Sequence, residues 1–300
     1  MSTAENVLRR AEGWVFAPED AKRLAAVRIG LCGLLALRLA TADYGLAARQ
    51  PALFEPHFYM DLFPRMPSLE VATILQLCGI VAAVAAAAGL VIRASLPLAF
   101  VCSLVLHGML NSIGRIIVGD ALLMLSVLVL LVCGSAAGEA WSVREPLRRA
   151  LRRFRRGSAN PPISDHDFGG ARYGWPIRTA MIAIALAYFF AGFQKWRYSG
   201  LPWVTSDNLR WILYSQAHPD GLALFVADRP WLSHLFAAGA LLLETCFPLV
   251  LFLPRLRWLF IPGVVAMHVG IRLAMGLDYS AQWLTVLIVF VNWPVVGAWL

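Results

Sequence analysis

The stretch Trp175–Trp211, WPIRTAMIAIALAYFFAGFQKWRYSGLPWVTSDNLRW, decides the fold. Pro176 suits the first turn of a helix, and Ile177 to Gly192 carries a single charge, Arg178, so the segment reads as membrane-spanning. At 1.5 Å per residue, Lys195 lies roughly 28 Å along the axis from Pro176, about one hydrocarbon thickness, which sets the amine near the far interface. Tyr188, Ala191, Gly192 and Lys195 follow at i, i+3, i+4 and i+7. A phenol, two small residues and an amine therefore share one face, and that face is expected to receive a flat ligand. Two readings of Lys195 stay open. It marks a helix end and snorkels to the headgroups beside Trp196 and Trp203, or it works as a base inside the protein.

The rest of the chain has the same character. Of 300 residues, 59% are hydrophobic and 15% charged, with a mean hydropathy of +0.67, which excludes a soluble globular domain. The expected fold class is an all-α membrane protein, a single domain over 1–300 built as a polytopic bundle of about eight transmembrane helices. Spans are expected near Leu24–Ala42, Leu69–Ile92, Leu96–Ile113, Ile116–Ala137, Pro176–Lys195, Trp231–Leu253, Trp258–Met275 and Ala281–Leu300. The first 23 residues hold charges, Trp14 and Phe16 without an apolar run, so no secretory leader is expected and the first span serves as insertion signal.

The net charge of +8 is placed as a topology signal, not as a nucleic-acid footprint. Eight spans put 16 basic residues on the side of the termini and 8 on the other, so both termini are expected in the cytoplasm of a multi-pass cell-membrane protein. The basic loop 139–175 carries REPLRRALRRFRR, an amphipathic patch suited to anionic lipid. The lipid bilayer is thus the first partner. Asp165, His166 and Asp167 follow on a Gly/Pro-rich loop with no fixed geometry, and no metal site is expected there. Cys32, Cys78, Cys102, Cys133 and Cys246 fall in apolar runs and read as small buried hydrophobes.

Polar residues within or beside the spans are few. Arg28 and Arg38 lie in the first span, where Arg28 is close enough to the start to snorkel. Asp43–Ser68, with four prolines and clustered aromatics, reads as an interfacial segment. The alanine-rich end of the second span favours close helix contact. His107 and Asn111 face one way at i, i+4, and Asn111, Arg115 and Asp120 are expected to cluster as an ion pair with an amide bond at the hairpin between the third and fourth spans. Pro248 follows Glu244 at i+4 and should loosen the backbone there. Glu244 pairs with His268 or Arg272 as a bridge, or joins Lys195 and His268 in a pocket where a desolvated amine takes a proton from a phenolic substrate.

Ala191-Gly192-Phe193-Gln194-Lys195, then Trp203, then Asn208 to Tyr214 resembles the segment of vitamin K-dependent gamma-carboxylases that bears their base, a pattern shared by the horizontally transferred transmembrane (HTTM) domain family. The likeness extends to Arg28-Ile29-Gly30, Gly119-Asp120, Glu244, Pro254-Arg255-Leu256-Arg257, and His268 with Met275-Gly276. The resemblance implies Lys195 as general base, with Glu244 and His268 beside it as catalytic residues. Tyr188, Gly192, Trp203, Asn111, Arg115 and Asp120 are then the ligand-binding residues, and the cofactor is a reduced, vitamin K-like quinone. It implies a quinone-dependent or carboxylase-like (lyase) activity. The chain departs from the carboxylases in having no large domain after its last span and no histidine just before the fourth, where Ser112-Ile113-Gly114-Arg115 stands and His107 lies too early. A second function class is a non-enzymatic factor that matures or contacts a secreted peptide or a partner membrane protein through Asp43–Ser68 and Arg197–Asp228. No inverted repeat points to a transporter.

Overall fold

A computed structural model of the chain describes residues 3–113, 119–143, 169–216 and 221–297, and across them the polypeptide is almost wholly helical. Five helical segments are long and apolar enough to cross a membrane: Ala21–Ala48, Leu69–Ala87, Ile92–Asn111, Ala171–Ser199 and Pro254–Met275. Two further apolar helices, Ala121–Cys133 and Ser280–Phe290, are shorter. The chain divides into two compact units, Met1–Ala180 with Val291–Leu300, and Met181–Phe290.

In the first unit, α1 (Thr3–Val15) is followed by α2 (Ala21–Thr41), α3 (Leu69–Ala87), α4 (Ile92–Asn111), α5 (Ala121–Cys133) and the start of α6 (Ala171–Ser199). Asp20 caps α2 by accepting from the Lys22 amide at 2.7 Å, and Ser68 caps α3 at Val71. On α2, Leu24, Leu31, Leu35 and Leu39 form one buried stripe at helical spacing, and Arg28 stands in the middle of it. On α3 the buried positions are small, Ala72, Gly79, Ala82, Ala83 and Ala86, while Ile74, Leu77, Val81 and Val84 point outward. Lipid tails are as apolar as those outward side chains, so α3 is held by close backbone approach to α2 and α4 and not by expulsion of water. The turn Trp293–Gly297 packs on α2.

Three expectations are corrected in this unit. Arg28 does not snorkel: it is 0% exposed and donates to the carbonyls of Ala137 at 2.5 Å, Ala140 at 3.2 Å and Trp141 at 2.8 Å. It supplies donors to the 3-10 turn Gly134–Gly138 and the residues just beyond it, whose carbonyls have left the α5 ladder. The segment Asp43–Ser68 does not merely lie at an interface, because Tyr44, Met60 and Met66 are buried and Tyr59 donates from its hydroxyl to the Leu104 carbonyl at 2.8 Å. Burial pushes the Tyr59 phenol above its usual range, which keeps it a donor. Finally, α6 begins at Ala171, ahead of Pro176, and a two-residue antiparallel pairing of β1 (Glu19–Asp20) with β2 (Gly169–Gly170) leads into it.

In the second unit the remainder of α6 is followed by the turn Pro202–Thr205, α7 (Asn208–Gln216), α8 (Leu222–Ala227), α9 (Pro230–Cys246), α10 (Arg257–Met275) and α11 (Ser280–Phe290). The helix expected at Asn208–Tyr214 is present as α7, with Trp211 and Tyr214 in edge contact and both exposed. The backbone breaks after Cys246, and a separate turn, Leu249–Phe252, follows Pro248, as the missing proline N–H requires. Phe247 at this break is fully buried and meets the rings of Tyr188, Phe260 and Phe290. Gly276, at φ 69°, ends α10 in the left-handed conformation. A satellite core of Leu213, Ala223, Val226, Ala227 and Ala274 ties α7 and α8 to the end of α10.

Candidate functional site

Two hydrogen-bonded pairs of ionisable side chains lie inside the second unit. Lys195 reaches Glu244 Oε2 with its Nζ at 2.5 Å, and the lysine side chain is 22% exposed. The amine therefore turns into the protein, toward α9, instead of snorkelling. Trp203 lies alongside, its ring centroid 5.3 Å from Nζ, close enough for a cation–π contact. Glu244 is buried at 8% exposure, and its carboxylate meets Lys195, not His268 or Arg272. Arg272 pairs with Asp278 at 2.8 Å in the loop after α10.

The second pair is Tyr188 with His268, whose Nε2 lies 2.9 Å from the phenol oxygen. When Tyr188 donates to Nε2, the ring carries its proton on Nδ1, and in the other tautomer Nε2 donates to the phenol oxygen. Nδ1 is buried and has no hydrogen-bond partner among the described residues. Phe247 packs on Tyr188 at 4.7 Å and Tyr279 on His268 at 5.4 Å, so the pair sits between aromatic rings. Trp203 Nε1, Thr245 Oγ1 and His234 Nε2 are likewise buried without a partner among the described residues. A buried polar atom left unmet costs about 1–3 kcal/mol, so each of these atoms is a place where a complementary atom of a guest would be bound favourably.

Gly192 has a different role from the one its position suggested. A Cβ there would lie 2.5 Å from Thr245 Oγ1, 2.8 Å from the Thr245 amide nitrogen and 3.1 Å from Glu244 Cβ. The absent side chain admits the α9 backbone and so brings Glu244 to Lys195. The face running from Tyr188 to Lys195 is thus met at Gly192 by α9, and Ala191 is exposed. Thr245, one residue from Glu244 on the approaching helix, was not legible as a neighbour of this face.

The other expected ligand residues belong to the first unit. Asp120, at the start of α5, pairs with Arg38 of α2 through Nε at 2.8 Å and Nη2 at 3.2 Å, and with His107 Nε2 of α4 at 2.9 Å. His107 Nδ1 lies 2.8 Å from the Ser103 carbonyl, and Tyr44 places its hydroxyl 3.4 Å from Nε2. Among the described residues Asp120 is therefore held by Arg38 and His107, and its expected partner Arg115 lies outside them. Asn111 is half-buried at the end of α4. The Asp165–Asp167 stretch and the run Arg144–Arg156 also lie outside the described residues, among which no group of three or more His, Cys, Asp or Glu side chains has metal-binding geometry. Of the cysteines, all free, Cys32 and Cys102 are buried as expected, Cys133 and Cys246 are half-buried, and Cys78 is exposed on α3.

No family model matches the chain, and no curated protein or solved structure matches it either.

Proposed function

We propose that the chain is a membrane protein of about eight spans with both termini in the cytoplasm, similar to the HTTM family, and that its second unit is a quinol-linked enzyme centre with Lys195 as general base. One observation carries this reading: the Lys195 amine faces Glu244 inside the unit, where a snorkelling lysine would face water. The shorter helices α5, α9 and α11 account for the additional spans where their ends extend through turns such as Gly134–Gly138 and Leu249–Phe252. The fit of a quinone rests on donors and rings. Trp203 Nε1 and His268 Nδ1 are unmet donors suited to its oxygens, and Trp203 and Tyr279 offer flat apolar surface.

A reduced quinone, when bound, supplies an acidic hydroxyl and two reducing equivalents. The residues handle the proton. For Lys195 to act as the base, its proton passes along the contact to Glu244 Oε2, which frees the Nζ lone pair to accept a proton from a substrate hydroxyl. Trp203 shields the pair from the outer medium, and Tyr188 fixes the His268 ring so that Nδ1–H stays available to an acceptor.

The test is turnover of a hydroquinone under oxygen by the full chain in lipid nanodiscs. Lys195→Ala is expected to abolish turnover while insertion and folding persist, and wild-type turnover in that variant would remove the base assignment. A second reading is supported by the outer segment Arg197–Asp228, which exposes Tyr198, Leu201, Trp211 and Phe225. That surface suits a factor that contacts a secreted peptide or a partner membrane protein. Under that reading Trp211→Ala impairs the cellular role and Lys195→Ala does not.

A further inference from the structure

The N-terminal helix α1 takes no part in either side-chain network, yet its sequence and mounting are specific. Over TAENVLRRAEGWV the apolar residues Leu8, Ala11, Trp14 and Val15 recur at i, i+3, i+6 and i+7. Glu5, Arg9, Arg10 and Gly13 occupy the opposite arc of the wheel, and Glu12 borders the stripe beside Leu8. Such a stripe forms a stable helix by burying one face. In this protein Leu8 is 69% exposed, Ala11 is exposed, and just beyond the helix Phe16 is exposed as well.

The helix is not a loose tail, because its C-terminal end is clamped. Arg178 of α6 donates to the Ala17 carbonyl at 2.5 Å and to the Val15 carbonyl at 3.4 Å, and its guanidinium lies 5.9 Å from the Trp14 ring centroid. Glu19 accepts from Arg23 at 2.6 Å and from Arg178 at 3.5 Å, and its backbone pairs with Gly170. Gly174 is needed at this clamp: a Cβ there would sit 2.3 Å from the Ala17 carbonyl oxygen. The strand-like strap that carries α1 is thus pressed against the first turns of α6, and α2 starts at Ala21, directly after it. Both are apolar helices long enough to cross a membrane, and both begin at this level. What surrounds the protein where two spans begin is the headgroup layer.

We propose that α1 is an interfacial helix that lies in the lipid surface, with Leu8, Ala11, Trp14 and Phe16 in the boundary between headgroups and acyl chains. The polar arc with its border carries Glu5 and Glu12 against Arg9 and Arg10, so it is electrically balanced. Attachment therefore rests on apolar area and on the Arg178 clamp, and anionic lipid is not required. The clamp fixes the depth and direction of the helix, and α1 makes a surface strut for the first span.

The test places a nitroxide on Leu8→Cys and, separately, on Gly13→Cys, on the opposite side of the helix, in the full chain, reconstituted in phosphatidylcholine nanodiscs, with the signal of the labelled parent chain subtracted. Both positions are exposed, and a Cβ at Gly13 meets nothing within 4 Å, so neither change clashes with the fold. The expected result is that the label at position 8 loses access to a water-soluble nickel chelate, gains access to oxygen and reports a depth of about 5–10 Å, while the label at position 13 stays accessible to the chelate. Replacing half the lipid by phosphatidylglycerol should leave both readings unchanged. Chelate access at both positions would overturn the proposal in favour of a helix in water. Loss of access to both reagents at position 8, with spin–spin broadening, would overturn it in favour of contact with a second copy. A dependence of the depth on phosphatidylglycerol would overturn the claim of a neutral, apolar attachment.

Discussion

The two units each hold a cluster of ionisable side chains among apolar helices, and they satisfy it in opposite ways. In the first unit the cluster at Asp120 is matched, with Arg38 forked onto both its oxygens and His107 using both ring nitrogens, while Arg28, outside that cluster, meets three carbonyls and keeps a buried Nε without a partner among the described residues. In the second unit Lys195 meets a single carboxylate oxygen, and His268 uses one nitrogen and leaves the other unmet. A network with its donors and acceptors matched fixes helices against each other. A network with donors to spare is less useful as a lock and better suited to holding a substrate. The first cluster is therefore read as architecture and the second as a site.

Substitutions can break that contrast, and the largest effect is expected at Asp120. Asp120→Ala takes the carboxylate from Arg38 and His107 together, so the first unit should lose about 3–5 kcal/mol, read as a large fall in unfolding midpoint or as failure to purify. A mild effect there would mean that the first cluster is not a lock. Glu244→Ala also strands a charge, but the Lys195 side chain is partly open to solvent, so its cost should be smaller, about 1–3 kcal/mol. Turnover should fall with it.

Gly192→Val drives a branched side chain into Thr245 and the backbone of α9, with an expected cost of about 1–3 kcal/mol. The sharper readout is a separation of Lys195 from Glu244, seen as lost coupling in a double-mutant cycle of those two residues. Tyr188→Phe removes one hydrogen bond and should cost about 0.5–1.5 kcal/mol while leaving the fold intact. The smallest effect is reserved for Asp43→Ala. The Arg49–Asp43 pair, at 2.7 Å, is more than half exposed on both sides and should contribute about 0–1 kcal/mol. A larger loss would give the surface a weight that this account assigns to the interior clusters.

Much of this arrangement was legible in residue spacing. Lys195 at the end of an apolar helix, Glu244 beside a proline and His268 at mid-helix stood out because each is costly in hydrocarbon. Their pairing did not, since helical periodicity gives the face of each residue but not which helix it meets. The contact between Gly192 and Thr245 turns α9 toward Lys195, and the two lie far apart in sequence. The burial of Arg28 had a readable sign: it interrupts the stripe Leu24, Leu31, Leu35, Leu39 at helical register, while snorkelling considered only its nearness to the helix end. Asp120 was placed at a hairpin and given its nearest basic neighbour in sequence. That neighbour, Arg115, lies outside the described residues, and among those described Asp120 meets Arg38, from a helix more than eighty residues earlier. Local proximity in the chain is a poor guide where charges buried among helices choose partners by geometry.

The most direct measurement is the paired replacement Lys195→Met with Glu244→Leu, followed for both stability and hydroquinone turnover in nanodiscs. Exchanging a buried ion pair for apolar side chains of similar volume is often neutral or stabilising, so the unfolding midpoint should stay near that of the wild type while turnover disappears. Turnover that survives the double replacement would contradict the account, because the chemistry would then not pass through this pair.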